Sequence, residues 1–389
     1  MGALSVRRSN VIGVVTLACL LVSLVSAACS SSTQTSSTAQ TTAGPVTSPS
    51  STAVASPDPL DPAVTSTDAT TAVTADDTSS STTTATAGPG LFPARGPASK
   101  EHEPLWGYID RNGDFAIAPQ FVNADSFSEG LAAVERKDHV HGYIDTSGEF
   151  VLQIQYESAG AYSFSNGVAP ATDDHYKAGY IDKQGEWVIP PRFDATYDFS
   201  EGLAPALVDG LFGYIDHAGS FVIPPRFLFA LSFSEGLAAA AAKVPGSGQE
   251  PARAKWGYID KTGEFVIAPQ FLYMVEISSV YSLPGDFHEG LADVLVEGEG
   301  YQRSFIDKTG RVVLGPYAGA SAFSDGLAPV ATRDQDGLRW GYIDKTGGFV
   351  IPTQFQEADT FEDGLAQVVI PTWNDGYVDK TGRIVWSRK

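Results

Sequence analysis

Hydrophobic and polar positions alternate in short runs along the C-terminal three quarters of the chain. The stretch 193–225, FDATYDFSEGLAPALVDGLFGYIDHAGSFVIPP, contains four such runs, named here A (FDATYDF), B (LAPALV), C (LFGYID) and D (SFVIPP). Each run has the length of a strand and is bounded by Gly, Asp or Pro. In segment C, Phe212, Tyr214 and Asp216 fall on one side, which is the period of a half-buried strand. No window shows a helical stripe, so the pattern predicts an all-β structure.

The four runs belong to a repeat. Gly-Tyr-Ile-Asp or a close variant occurs eight times, with spacings of 35, 37, 34, 44, 47, 37 and 35 residues. The eight copies begin at Gly107, Gly142, Gly179, Gly213, Gly257, Ser304, Gly341 and Gly376. A period of this size indicates an array of similar structural units.

The number of segments predicts the architecture of the array. Segments B, C and D occur eight times, whereas A occurs seven times, because the array begins with a B-like run at 90–94. Four short antiparallel strands repeated eight times predict a propeller-like ring in which one unit has three strands. An open superhelix of stacked β-hairpins is the alternative. The ring is preferred because neither end of the array shows a capping segment.

Each C segment is followed by Asp-x-x-Gly, which is typical of a hairpin turn. The Asp accepts hydrogen bonds from backbone N–H groups, and the Gly adopts the left-handed conformation that closes the turn. A catalytic aspartate is needed once per site, whereas a turn aspartate is needed once per turn, so eight copies indicate a structural role. The predicted turn residues are Asp110 and Gly113, Asp145 and Gly148, Asp182 and Gly185, Asp216 and Gly219, Asp260 and Gly263, Asp307 and Gly310, Asp344 and Gly347, and Asp379 and Gly382.

A second turn motif joins segments A and B. Phe-Ser-Glu-Gly-Leu-Ala begins at Phe127, Phe199 and Phe233 and recurs with changes in four other units. The Phe and the Leu that flank the turn are predicted to point into the core. The acidic residue beside the glycine is interpreted as a solvated charge.

The units resemble WG repeats, a bacterial family named for a Trp-Gly dipeptide. The dipeptide is present at Trp106-Gly107, Trp256-Gly257 and Trp340-Gly341. The other units have His141, Ala178, Phe212, Arg303 and Asp375 in the tryptophan position, and one has Ser304 in the glycine position. The resemblance covers residues 90–389 and implies a β-rich repeat array that acts as an interaction module.

The N-terminus has the features of a signal peptide, assigned to residues 1–28. Only Arg7 and Arg8 are charged before an uncharged run from 11 to 28. The run ends in Ala27-Ala28-Cys29, which resembles the lipobox of bacterial lipoprotein precursors. Cys29 is therefore the predicted lipidation site, and the lipid would hold the protein on the outer face of the cell membrane. Cleavage after Ala28 followed by secretion is the alternative, and the two arginines leave open the general and the twin-arginine export routes.

Residues 29–89 are predicted to form a disordered linker. From 30 to about 88 the chain consists almost entirely of Ser, Thr, Ala, Pro and Val, with no lysine, arginine or aromatic residue. Such a segment buries too little apolar surface to offset the entropy of ordering. It would form a coil-like tether roughly 45 Å long, which separates the membrane from a WG-repeat β domain at 90–389.

Composition limits the functions that the repeat domain can perform. The formal net charge of −21 argues against nucleic acid as a partner. The six histidines are scattered over different units, and no motif for metal, phosphate or nucleophilic chemistry is present. The sequence therefore predicts no cofactor and no metal site. It favours a noncatalytic binding or scaffolding protein whose partner is a protein or a cell-wall polysaccharide. An envelope hydrolase or lyase, with carboxylates converging at the centre of a propeller, is the alternative.

Two insertions lengthen the repeat around the fifth unit. They are 243–255, KVPGSGQEPARAK, and 272–286, LYMVEISSVYSLPGD. Insertions in repeat proteins map to loops, often on the binding face. The second insertion contains apolar residues that have no place in the repeat, and the candidate binding residues are Tyr273, Met274, Ile277 and Tyr281. The alternative is that this insertion packs against its own domain.

Overall fold

Eight small antiparallel sheets make up the part of the chain that the computed structural model describes. The described residues are 90–97, 103–154, 162–244, 253–273, 283–296, 302–335, 337–371 and 374–388. The predicted signal peptide and the whole of the predicted linker, including Cys29, lie outside these ranges. No helix in the described ranges is long and apolar enough to cross a membrane.

Each sheet corresponds to one sequence unit and is called a blade here. Blade 1 consists of β1 (Phe92–Arg95), β2 (Trp106–Ile109) and β3 (Phe115–Phe121). Blade 2 consists of β4 (Asn123–Ala124), β5 (Leu131–Glu135), β6 (His141–Asp145) and β7 (Phe150–Gln153). Blade 3 consists of β8 (Ala169–Thr172), β9 (Ala178–Ile181) and β10 (Trp187–Phe193). Blade 4 consists of β11 (Ala195–Thr196), β12 (Ala204–Val208), β13 (Leu211–Ile215) and β14 (Phe221–Phe227).

The second half of the domain continues the series. Blade 5 consists of β15 (Phe229–Ala230), β16 (Ala238–Val244), β17 (Arg253–Ile259) and β18 (Phe265–Leu272). Blade 6 consists of β19 (Leu291–Val296), β20 (Gln302–Asp307) and β21 (Val312–Tyr317). Blade 7 consists of β22 (Gly319–Ala320), β23 (Ala328–Asp334), β24 (Gly337–Ile343) and β25 (Phe349–Phe355). Blade 8 consists of β26 (Glu357–Ala358), β27 (Leu365–Val369), β28 (Asp375–Asp379) and β29 (Ile384–Ser387).

The strands of each blade pair in the order in which they occur along the chain, A-B-C-D. Blade 1 has only B, C and D strands, as the sequence predicts. In blades 3 and 6 the A segment falls partly in 155–161 and 274–282, outside the described residues. The A strands that are described have two residues each, so the B, C and D strands form most of every sheet.

The blades close into a ring. At each of the eight interfaces, an aromatic residue of one C strand packs against a phenylalanine of the next blade, as Tyr214 does against Phe233 with ring centroids 4.9 Å apart. At the last interface Tyr377 of blade 8 packs against Phe92 of blade 1 at 5.6 Å, and its hydroxyl donates to the carbonyl oxygen of Pro93 at 2.9 Å. An open superhelix would not bring its two ends together. The preferred prediction of a propeller-like ring is therefore confirmed, and the open superhelix is excluded.

The glycine of the Trp-Gly dipeptide is required by a close approach between strands C and D. A Cβ atom on Gly257 would lie 2.5 Å from the carbonyl oxygen of Ile267, at a point where the pairing register shifts. In blade 6 this glycine is replaced by Ser304. There the small residue lies on strand D instead, since a Cβ atom on Gly315 would lie 2.8 Å from the Ser304 hydroxyl oxygen. One glycine on either strand is enough to permit the approach.

Candidate functional site

The tyrosine of each Gly-Tyr-Ile-Asp motif holds the innermost segment of the next blade. The Tyr214 hydroxyl donates to the carbonyl oxygen of Leu231 at 2.8 Å. Burial raises the pKa of Tyr214 well above its usual value, so the hydroxyl keeps its proton and remains a donor. The same bond joins Tyr108 to Asp125, Tyr143 to Tyr162, Tyr180 to Tyr197, Tyr258 to Gly285, Tyr342 to Asp359 and Tyr377 to Pro93. Six of these bonds fix A segments around the axis of the ring, and the bond from Tyr377 fixes the B strand of blade 1.

A cavity of about 370 Å³ lies where the A segments meet. Its described lining comes from seven blades, which places it at the centre of the ring. The lining residues are Phe92, Ser126, Tyr197, Leu231, Ser232, Leu283, Pro284, Gly285, Asp286, His288, Ser321, Ala322, Asp359, Thr360, Glu362, Leu365, Gln367 and Tyr377. Aromatic and aliphatic walls with a few convergent polar groups are typical of small-ligand sites, and the volume lies near the lower end of their range of roughly 300–1,000 Å³.

The position just before the phenylalanine of each A–B turn supplies much of this lining. It is occupied by Ser126, Ser232, Asp286, Ala322 and Thr360 in the blades that contribute it. Apart from Asp286, which is the last residue of the second insertion, none of these residues was predicted from the sequence to belong to a site. A signal was present, because this position varies among Ser, Asp, Ala and Thr while the phenylalanine that follows it is constant.

Two aspartates of the inner segments influence each other electrostatically. Asp198, which precedes the turn phenylalanine of blade 4, has its pKa raised to about 6, first by burial and then by the nearby charge of Asp125 in blade 2. Burial and a like charge both disfavour the ionised carboxylate. This part of the ring therefore contains a carboxyl group whose protonation changes near neutral pH.

A buried ion pair lies behind the blade 6 portion of the cavity wall. The Arg303 Nε atom donates to Asp293 Oδ2 at 2.6 Å, and neither side chain is more than 5% exposed. Arg303 also donates to the carbonyl oxygen of Leu283 at 2.8 Å, while the Asp293 carbonyl oxygen accepts the Gly285 N–H at 2.7 Å. The pair therefore braces Leu283 and Gly285, which line the cavity at the C-terminal end of the second insertion. Arg303 was recognised in the sequence only as a departure from the tryptophan position.

The Asp-x-x-Gly residues lie in the C–D hairpin turns, away from the cavity. Asp260 Oδ1 accepts the Thr262 N–H at 2.9 Å, the Thr262 hydroxyl at 2.5 Å and the Glu264 N–H at 3.2 Å. The hydroxyl bond is the largest cause that lowers the pKa of Asp260. Gly263 has a φ of +87°, which suits glycine. The other seven aspartates make the same Oδ1 contacts with the N–H groups two and four residues later.

The acidic residue of the A–B turn is a link between blades rather than a solvated charge. Glu201 and Gly202 are the two central residues of a tight turn, with φ values of +53° and +87°. The Glu201 carboxylate accepts the N–H of Gly236 in blade 5 at 3.1 Å and lies 3.1 Å from the ammonium of Lys261. Equivalent links join Glu129 to Gly167 and Lys183, Glu235 to Gly290 and Lys308, Glu289 to Gly326 and Lys345, and Asp325 to Gly364 and Lys380.

The candidate binding residues of the second insertion are described only in part. The ring of Tyr273 packs against that of Trp256 with centroids 5.5 Å apart, at the edge of the core. Met274, Ile277 and Tyr281 lie outside the described residues. The insertions leave the ring from the ends of β16 and β18, whereas the A–B and C–D turns lie at the opposite ends of the strands. The two ends of the ring therefore differ: one carries the regular turns, and the other carries the insertions.

The chemistry of the cavity is that of hydrogen-bond acceptors and hydroxyl groups. Within the described ranges, no group of three or more His, Cys, Asp or Glu side chains is arranged to hold a metal ion. Asp286, Asp359 and Glu362 line a space that is also lined by tyrosine, leucine and proline. Such a site can orient a small ligand by its polar groups while the apolar wall excludes water.

Comparison with known proteins assigns the repeat. The family model described as "WG containing repeat" matches residues 106–138, 142–174, 179–212, 212–241, 256–279 and 340–370. None of the curated proteins compared with the sequence matches it. Similar solved structures include BamB from Moraxella catarrhalis, with a TM-score of 0.42 and 11% identity over 68% of this chain and 89% of that one. The WD40 β-propeller domain of Doa1 has a TM-score of 0.36 and 12% identity over 66% and 92%. A quinonprotein alcohol dehydrogenase-like protein from Bacteroides thetaiotaomicron has a TM-score of 0.38 and 10% identity over 69% and 74%. The chain is a WG-repeat protein, and its repeats form a closed eight-bladed propeller.

Proposed function

We propose that this protein is a noncatalytic binding protein of the cell envelope, which holds part of its partner in the central cavity. The observation that carries the proposal is the convergence of polar groups from different blades on one cavity with apolar walls. The links between blades, such as Glu201 with Lys261, support it because they hold the wall residues in fixed positions before a ligand arrives. The partner is a protein or a cell-wall polysaccharide.

The anchor is the second part of the proposal. A lipid on Cys29 and the tether at 29–89 would hold the propeller outside the cell membrane. With lipidation, the wild-type protein partitions into detergent after phase separation, and Cys29→Ser is released or remains as an uncleaved precursor. If both proteins appear as the same soluble mature species, the anchor is wrong and the protein is secreted.

Filling the cavity tests its role in binding. Ala322 lines the cavity, so Ala322→Trp places a large side chain in the space. We expect this variant to lose capture of the partner from envelope extracts. A matched control, Ala218→Trp in the exposed C–D turn of blade 4, should capture as the wild type does. If Ala322→Trp folds and captures the partner normally, the cavity is not the binding site.

An envelope hydrolase or lyase is the second candidate function. The observation in its favour is Asp198, whose pKa of about 6 would suit a general acid beside a second carboxylate, Asp125. The two functions differ in the fate of the captured material. Under the binding proposal, material eluted from the protein has an unchanged mass, and Asp198→Asn still captures it. Release of a cleaved product by the wild type, but not by Asp198→Asn, would establish the enzyme instead.

A further inference from the structure

A groove of about 410 Å³ lies between blades 8 and 1, where the ring closes. Strand β29 of blade 8 forms one wall with Trp386 and Arg388, and blade 1 forms the other with Arg95 and Phe115. The described lining contains two arginines and no aspartate or glutamate, and it shares no residue with the described lining of the central cavity. The groove is therefore a second site, with a size typical of small-ligand sites.

Arg95 supplies a positive charge that no acidic residue balances within the described part of the chain. Its guanidinium lies over the Trp106 ring, with the Cζ atom 4.8 Å from the ring centroid, and it forms no ion pair or hydrogen bond with a described residue. Arg388, in contrast, lies 3.6 Å from Asp375 Oδ2, so its charge is balanced. Stacking on an aromatic ring holds the planar guanidinium in place while its N–H donors remain available.

The groove is also a place where the chain departs from its own repeat. Arg95 lies opposite the tryptophan position of strand C, where four other blades have a buried apolar residue (Leu207, Ala241, Leu295 and Ala331) and three have Glu135, Thr172 and Val369. Trp386 lies opposite Tyr377, where each of the other seven blades has isoleucine or leucine. These two departures come from opposite ends of the repeat domain and meet in one groove. Packing of the blades alone would be satisfied by the residues that the other units use.

We propose that this groove binds a carboxylate group carried on an aromatic or aliphatic body. The carboxylate accepts two parallel hydrogen bonds from the Arg95 guanidinium, whose planar fork matches its geometry. The body packs against Trp386 and Phe115, whose ring centroids lie 6.3 Å apart, and Phe115 is 37% exposed. A single negative charge balances Arg95, which favours a carboxylate over a phosphate dianion. The inference goes beyond the proposed function, because it concerns a site separate from the central cavity.

Calorimetric titration of the full chain tests the inference. The probe is 3-phenylpropionate, and 3-phenylpropanamide is its neutral counterpart of nearly the same shape. We expect saturable binding of the acid with a dissociation constant of about 1 mM or tighter, and binding of the amide that is at least about tenfold weaker, because a charge-assisted hydrogen bond is lost. The groove accepts a carboxylate from a free acid or from the C-terminus of a peptide. Tighter binding of N-acetyl-alanyl-phenylalanine than of 3-phenylpropionate indicates a peptide, and weaker binding indicates a free acid.

Two variants restore the residues of other blades and should therefore fold. Arg95→Leu places the residue of blade 4 in the groove and should weaken binding of 3-phenylpropionate by at least about tenfold, with no remaining preference for the acid over the amide. Trp386→Ile should weaken the binding of both probes by about threefold to tenfold, because an aromatic contact is lost. Arg333→Leu removes one positive charge from an exposed position of blade 7 and should leave the affinity unchanged.

Arg95→Lys keeps the charge without the planar fork, and its preference for the acid over the amide should be at least about threefold smaller than that of the wild type. The inference is overturned if neither acid probe binds saturably, if the amide binds as tightly as the acid, or if Arg95→Leu and Arg95→Lys retain the preference of the wild type. Equal weakening in Arg333→Leu would overturn it as well. Ala322→Trp fills the central cavity and should bind 3-phenylpropionate as the wild type does. Loss of the probe in that variant would place the carboxylate in the central cavity and contradict the assignment to the groove.

Discussion

Glu201 and Lys261 join blade 4 to blade 5 through two contacts. Their charged groups lie 3.1 Å apart, and the Lys261 ammonium also donates to the Glu201 carbonyl oxygen at 2.9 Å. Glu201 adopts a left-handed backbone conformation that few residues other than Gly, Asn and Asp favour. A longer acidic residue at this position is explained by its reach, because its carboxylate extends to the Gly236 N–H of the next blade.

Glu201→Ala should therefore lower the free energy of unfolding by about 1–2 kcal/mol, because the charge-assisted hydrogen bond is lost but both side chains are partly exposed to solvent. The measurements are urea denaturation and hydrogen exchange at the Gly236 N–H, which should become faster. Glu186→Ala, at an exposed glutamate in a C–D turn, is the control and should change stability by less than about 0.5 kcal/mol. Equal effects of the two substitutions would show that the link between blades does not stabilise the ring.

The small residue lies on strand C in blade 5 (Gly257) and on strand D in blade 6 (Gly315), which predicts that two substitutions in blade 5 can compensate for each other. Gly257→Ser should cost about 1–3 kcal/mol, because the new Cβ atom would lie 2.5 Å from the Ile267 carbonyl oxygen. Adding Ala268→Gly reproduces the arrangement of Ser304 and Gly315 in blade 6 and should recover at least half of this loss. Ala268→Gly alone should be neutral or mildly destabilising. If the double variant shows only the sum of the two single effects in thermal denaturation, a glycine on strand D does not compensate for a serine on strand C.

The buried pair of Asp293 and Arg303 predicts an asymmetric response to mutation. Arg303→Met leaves the Asp293 carboxylate buried without its cation and should lower the free energy of unfolding by about 3–5 kcal/mol. Combining it with Asp293→Ala removes the stranded charge and should restore a large part of the stability. Urea denaturation of the two single variants and the double variant gives the coupling energy. If the double variant is less stable than Arg303→Met, the pair does not act as described.

Asp198 predicts a dependence of stability on pH. Its pKa of about 6 in the folded protein lies above the usual 3.8, so the folded state binds the proton more tightly than the unfolded state does. Stability contributed by this group is therefore greatest below about pH 4 and is lost as the pH rises through 6.

Asp198→Asn removes this loss. At pH 7.5 it should be more stable than the wild type by about 1 kcal/mol, which is less than the ~3 kcal/mol that the full pKa shift would give, because the group retains some contact with solvent. At pH 4 the two proteins should unfold at the same urea concentration. Asp174→Asn, at an exposed aspartate, should show no such difference between the two pH values. A stability gain for Asp198→Asn that does not change with pH would contradict the assignment.

The amino-acid sequence by itself determines the blade. Alternation in LFGYID gives the strand and its buried face, Asp216 and Gly219 mark the turn that follows, and the missing A run at the start gives blade 1 its three strands. These features are local, since each depends on side-chain period and turn chemistry within a few residues. Because the same local pattern occurs eight times, a ring of eight similar blades could also be predicted.

Only the tertiary structure decides what the repeats do to one another. Glu201 is beside a turn in the sequence, but its partner Lys261 is 60 residues away and comes into reach only when blade 5 packs on blade 4. The central cavity depends still more on the closed ring, because most blades contribute only a few residues each and the members lie as far apart as Phe92 and Tyr377. The sequence period shows what every unit has in common. The cavity, in contrast, is lined at positions where the units differ, and these positions come together only because the ring closes.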